Sequence, residues 1–159
     1  MANRILEEIK QTVPFTNPQE EAALNILRTA DALQRGLDLL LKRHGITAAQ
    51  YNVLRILRGA GAQGLHCAGI AERMLTAEPD VTRLLTRMER LGLLVRRRDG
   101  IDRRVVTAIA TGRGLQLLGE IEVPLRELQA QQFALLSDAE IAQLIAALEK
   151  ARESIDRAG

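Results

Sequence analysis

A mainly α-helical fold carrying one small β-hairpin is what this sequence predicts, and three observations predict it. Apolar residues make up 47% of the chain, yet with two Phe, one Tyr and no Trp its core must be built from Leu, Ile, Val and Ala. Those residues recur at three-or-four spacing through most of the length, which is the period of a helix face. Between about 93 and 110 the pattern changes to two β-prone runs on either side of an Asp99-Gly100 step, a dipeptide that favours a hairpin turn. At 159 residues the chain fits one ordinary domain.

The elements follow in order. The first sixteen residues read as an arm, with a fragment of helix around Ile5 to Ile9. Asn17-Pro18-Gln19-Glu20 opens a long helix, since Asn17 suits the cap, Pro18 the first helical position and Glu20 the return bond to the cap. Its stripe of Leu24, Leu27, Ala30, Leu33, Leu37, Leu40 and Leu41 persists to about Arg43, and Gly45 ends it. Thr47-Ala48-Ala49-Gln50 is a capping box for a second helix that buries Tyr51, Leu54 and Leu57. A shorter third helix is predicted over His66 to Met74. Pro79 then fits a first helical turn, and Val81, Leu84, Leu85, Met88 and Leu91 repeat at helical spacing until Gly92.

Leu93 to Arg97 and Arg104 to Ala110 are the predicted strands of the hairpin. Thr111 is placed to cap a long helix with Leu115, Leu118, Ile121, Leu125 and Leu128 on one face and a bend expected at Pro124, which lacks a backbone N–H. Ser137-Asp138-Ala139-Glu140 caps the last helix, with its stripe of Ile141, Leu144, Ile145 and Leu148.

Charge is distributed unevenly. The net charge is only +2, but Arg83 to Arg104 holds eight Arg against Glu89, Asp99 and Asp102. The placement matters more than the sum. Arg83, Arg87 and Arg90 recur at three or four residues and so share a side of their helix, opposite Leu84, Leu85, Met88 and Leu91. Three helices followed by a basic two-stranded hairpin are the order of a winged helix-turn-helix, whose third helix enters a DNA major groove while the wing reaches an adjacent minor groove.

Within that order, Val81-Thr82-Arg83-Leu84-Leu85, Met88-Glu89, Gly92-Leu93-Leu94, Arg96 and Asp102-Arg103-Arg104 resemble the signature of the MarR family. Gly45-Ile46-Thr47 with Gln50-Tyr51 and Leu54 is similar to the family's second-helix entry, and Thr111-Gly112 with Gly114 to its wing exit. The resemblance covers roughly Leu41 to Leu148. It implies a homodimer in which residues 1–45 form an arm and a first dimerisation helix, 46–110 the winged helix-turn-helix, and 111–159 C-terminal dimerisation helices, intertwined as one structural domain. Leu-rich faces outside the winged unit agree, because a second chain would bury them. A dimer would set two half-sites of a palindromic double-stranded DNA operator about one helical turn apart.

The resemblance carries DNA contact onto Asp80, Thr82, Arg83, Thr86 and Arg87 of the recognition helix, and onto Arg103 and Arg104 of the wing. Arg96 to Arg98 are weighed together, since alternate strand residues point away from one another, and Arg97 is the one taken as DNA-facing. Arg bonds guanine edges or narrow minor grooves, and Thr serves phosphates or a thymine methyl. Asp102 is expected to organise the wing. The stretch Thr76-Ala77-Glu78-Pro79-Asp80 is acidic where DNA phosphates would lie; Glu78 and Asp80 are read as favouring the helix N-terminus, with a cytosine contact as the other role for Asp80.

Cys67 is read first as a small packed residue and second as a redox-sensitive thiol near a helix start. His44, His66 and Cys67 match no metal-ligand spacing, and two His with one Cys and no glycine-rich phosphate loop assemble no catalytic site. The expectation is therefore a DNA-binding regulator, usually a repressor in this family, released by a small lipophilic ligand and needing no cofactor. A winged module for protein–protein assembly is the alternative. No apolar run reaches the roughly 20 residues of a membrane span and no leader is visible, so a cytoplasmic location is expected.

Overall fold

The computed structural model describes residues 4–98 and 106–158. Its elements are α1 (Arg4–Glu8), α2 (Pro18–Arg43), α3 (Ala48–Ala60), a 3₁₀ turn (Gly61–Gln63), β1 (Leu65–His66), α4 (Cys67–Ala71), α5 (Val81–Arg90), β2 (Leu94–Arg98), β3 (Val106–Ala110), α6 (Gly112–Gln132) and α7 (Asp138–Ala158). Met1–Ile121 and Glu122–Gly159 are two compact units.

The helix starts follow from their caps. Asn17 Oδ1 accepts from the Glu20 N–H at 2.8 Å, while the Glu20 carboxylate takes a bond from Thr16 Oγ1 instead of returning to the Asn17 backbone. Thr47 and Gln50 exchange both bonds of a capping box, and Ser137 and Glu140 do the same before α7. Each cap satisfies N–H groups that a helix cannot satisfy internally. α6 continues as helix through Pro124.

The core of Met1–Ile121 is aliphatic. Leu41, Val53, Leu54, Leu57, Ile70, Met88, Leu94, Leu118 and Ile121 are all but sealed from solvent. They come from α2, α3, α4, α5, β2 and α6, so one cluster fixes α5 against the rest of the unit. Tyr51, Leu54 and Leu57 are buried as their spacing predicts, and so are Val81, Leu84, Leu85 and Met88.

The hairpin is part of a three-stranded antiparallel sheet in the order β1-β3-β2. Arg97 faces Thr107 and Leu94 faces Ala110 across β2 and β3. The added strand corrects the helix expected over His66 to Met74: Leu65 and His66 pair with Ala108 and Thr107, and α4 covers only Cys67–Ala71. Gly64 makes this possible. Its φ is +65°, and a Cβ there would collide with the Ala108 carbonyl, so backbone lies directly on backbone where β1 begins. Pro79 is a second correction: it precedes the cap residue Asp80 and is not in the first turn of α5.

The join between the wing and α6 is equally close. Thr111 Oγ1 donates to the Gly92 carbonyl at 2.6 Å and accepts from the Gly114 N–H at 3.1 Å. Gly114 is buried, and a Cβ on it would strike the Leu93 carbonyl. Among the described residues no buried side-chain polar atom lacks a partner.

Candidate nucleic-acid interface

α5 carries a sharp division of character. Val81, Leu84, Leu85 and Met88 are buried, whereas Thr82, Arg83, Arg87 and Arg90 are exposed on the other side. None of these three arginines has an ion-pair partner among the described residues. A helix with one face locked into a core presents its opposite side chains from a rigid base, which is what reading base edges requires.

Several predicted residues have local duties. Asp80 Oδ1 accepts from the Arg83 N–H at 2.8 Å, so its carboxylate caps α5. Thr86 Oγ1 donates to the Thr82 carbonyl at 2.9 Å. The Thr82 hydroxyl lies 3.6 Å from Cys67 Sγ, which joins α4 to α5. Cys67 is half-buried and lines a small pocket with Thr82, Leu85, Arg96, Val106 and Ala108. Arg97 is exposed on β2, beside Arg98. Asp102, Arg103 and Arg104 fall outside the described residues.

Two residues to which sequence reasoning gave no bracing role hold this surface together. Glu89, near the end of α5, takes three bonds from Arg96 on β2: Nη2 to Oε2 at 2.6 Å, Nε to Oε2 at 2.9 Å, and the backbone N–H to Oε1 at 3.2 Å. The Arg96 guanidinium holds the Glu89 carboxyl below the usual carboxylate range. Arg96 is thereby committed to holding the wing strand on the recognition helix. Asn52 on α3 is the second brace, its Oδ1 accepting from the Leu75 N–H at 2.7 Å and pinning the turn between α4 and α5. The signal for Glu89 was present as an acid in a basic run, but a contact between a helix end and the next strand follows no period.

The comparisons with known proteins agree with this architecture. A profile of the MarR family matches residues 44–105, from the end of α2 to the wing. The HTH-type transcriptional regulator YkoM of Bacillus subtilis is 34% identical over 142 residues, covering 86% of this chain and 90% of that protein. The homoprotocatechuate degradative operon repressor of Escherichia coli is 28% identical, over 82% of this chain and 87% of its own. A solved S. aureus MepR–DNA complex superposes with a TM-score of 0.76 at 26% identity, over 89% of this chain and 99% of that one. No helix among the described residues is long and apolar enough to cross a membrane. With a winged helix built as described and a relative matched along nearly its whole length, the chain belongs to the MarR family of transcriptional regulators.

Proposed function

We propose that this protein is a homodimeric repressor that binds a palindromic double-stranded operator and is released by a small lipophilic ligand. The observation that carries the DNA-binding part is the exposed row of Arg83, Arg87 and Arg90, without an ion-pair partner among the described residues, on a helix whose other face is sealed in the core. Thr82, Thr86 and Arg97 extend that surface, and Arg103 and Arg104 add the wing. Asp80 contributes by fixing the N-terminus of α5.

Dimerisation is supported by apolar area that one chain leaves uncovered. Leu27 and Leu39 on α2 are 66% and 67% exposed, and Ile145 and Ile155 on α7 are 52% and 68% exposed. Faces of this kind mark interaction surfaces, and a two-fold pairing would match a palindrome. A repressive mode is supported by the E. coli relative, which is named for it.

The test is selection of bound sequences from a random duplex pool by the purified protein at two salt concentrations. A palindrome with half-sites about one helical turn apart is the expected result. Weak, sequence-independent binding would sink the reading and favour the protein-assembly alternative. Release is checked by adding small phenols and carboxylates to the operator complex.

A further inference from the structure

A pocket of about 400 Å³, with no α5 residue in its lining, opens where the second half of α3, the following 3₁₀ turn, β1 and the segment after α4 meet. Its size is that of a small-molecule site. Two arginines, Arg55 and Arg73, line it together with the Gln63 amide, and none of its lining residues is Asp or Glu. Neither arginine has an ion-pair partner among the described residues. Arg55 rests its guanidinium over the Tyr51 ring, 6.0 Å from the centroid, and Arg73 Nη1 donates to the Gly69 carbonyl at 3.4 Å. Those contacts orient the two side chains and leave most of their N–H donors unused.

Two arginines lining one concavity without an acid give it a positive potential that attracts an anion. A phosphate fits this donor set, because Arg forks bond phosphate oxygens in pairs and a tetrahedral group accepts from two forks at once. The rim is open at Gly59, where even a Cβ would meet nothing within 4 Å, and Leu65 supplies an apolar wall. We propose that the Arg55–Arg73 pocket is a phosphate-binding site, for the phosphate of a free phosphomonoester or of a DNA backbone. A bound phosphate would bridge α3 to the segment that leads into α5, the same two elements that Asn52 and Leu75 join. None of the residues proposed for operator contact lines this pocket.

The full-length protein is titrated with inorganic phosphate and with phenyl phosphate at constant ionic strength, following the Arg Nε–Hε signals by NMR. Saturable binding of one phosphate per chain is expected, with the Arg55 and Arg73 signals moving. Arg55→Gln and Arg73→Gln should each weaken it at least fivefold. Arg55→Lys, which keeps charge over Tyr51 but loses the fork, should weaken it less. Melting curves verify that the variants fold. An unsaturated response, or unchanged affinity in folded Arg55→Gln and Arg73→Gln, overturns the proposal. The source is read from duplex DNA. If the phosphate belongs to DNA, DNA displaces inorganic phosphate and each Gln variant lowers the slope of log affinity against log salt by about 0.9. If it belongs to a free phosphomonoester, the slope holds and phosphate still binds the DNA complex. Operator selection is measured separately, so either reading fails without the other.

Discussion

Arg83 and Arg87 were legible as residues of the exposed face of α5 because the alternation of charge and Leu along 81–91 leaves only one way to bury the helix. Arg83→Ala should weaken operator binding by roughly 1–3 kcal/mol if the residue reads a base, with fold and dimer intact. Quantitative footprinting or anisotropy checks it, and normal affinity would remove Arg83 from that role. The duty of Asp80 was partly legible: its acidity near a helix start suited a cap, and the bond to the Arg83 N–H shows which atom it serves. Gly64 was not legible, since nothing in Ala62-Gln63-Gly64-Leu65 announces a strand paired with residues more than forty positions later. Gly64→Ala meets both a positive φ and the Ala108 carbonyl. It should cost about 1–3 kcal/mol of stability, measured by denaturant unfolding; a neutral effect would mean that β1 separates easily from β3.

At the scale of elements, α5 and β2 act as one piece because of Glu89 and Arg96. Glu89→Gln keeps the size but loses the charge, and should lower operator affinity by loosening the wing. Arg96→Glu alone should be worse, placing two carboxylates together, and combining it with Glu89→Arg should recover part of the loss. A double variant no better than the sum of its singles would show that the pair does not couple. The pH dependence has a definite sign. The folded carboxyl of Glu89 titrates below its usual value, so its contribution to stability is complete above the ordinary carboxylate range and disappears as pH falls through the lowered value. Wild type and Glu89→Gln should therefore differ in melting temperature at neutral pH and converge in acid. The sequence could not reveal this pair, because strand alternation says which residues share a face and not what that face meets. The same limit applies to α4: local apolar spacing continued through Met74, whereas pairing with β3 claimed the first expected residue, His66.

For the whole molecule, the stripes on α2 and α7 were legible as helical faces, but in a single chain they do not all find cover. Of the long α2 stripe only Leu41 is fully buried. A second copy is the occupant that symmetry and family resemblance favour. Leu27→Glu should then convert dimer to monomer in light scattering. Each copy loses an apolar contact and gains a charge to desolvate, so about 3 kcal/mol or more across the two-fold is at stake, over a hundredfold in dimer affinity. An unchanged dimer would move the interface elsewhere. The hydroxyl of Thr111 has a mechanical consequence of its own. It fastens Gly92, just past the end of α5, to the first turn of α6, so the recognition helix is a lever pivoted at its C-terminal end. With 10 residues the lever is about 15 Å long. A tilt of about 5° at the pivot would sweep its far end through about 1.3 Å, more than the roughly 0.5 Å tolerance of a hydrogen bond to a base. Val81, buried at that far end, resists such a tilt, so the register of any base contact there depends on core packing as much as on the arginines themselves.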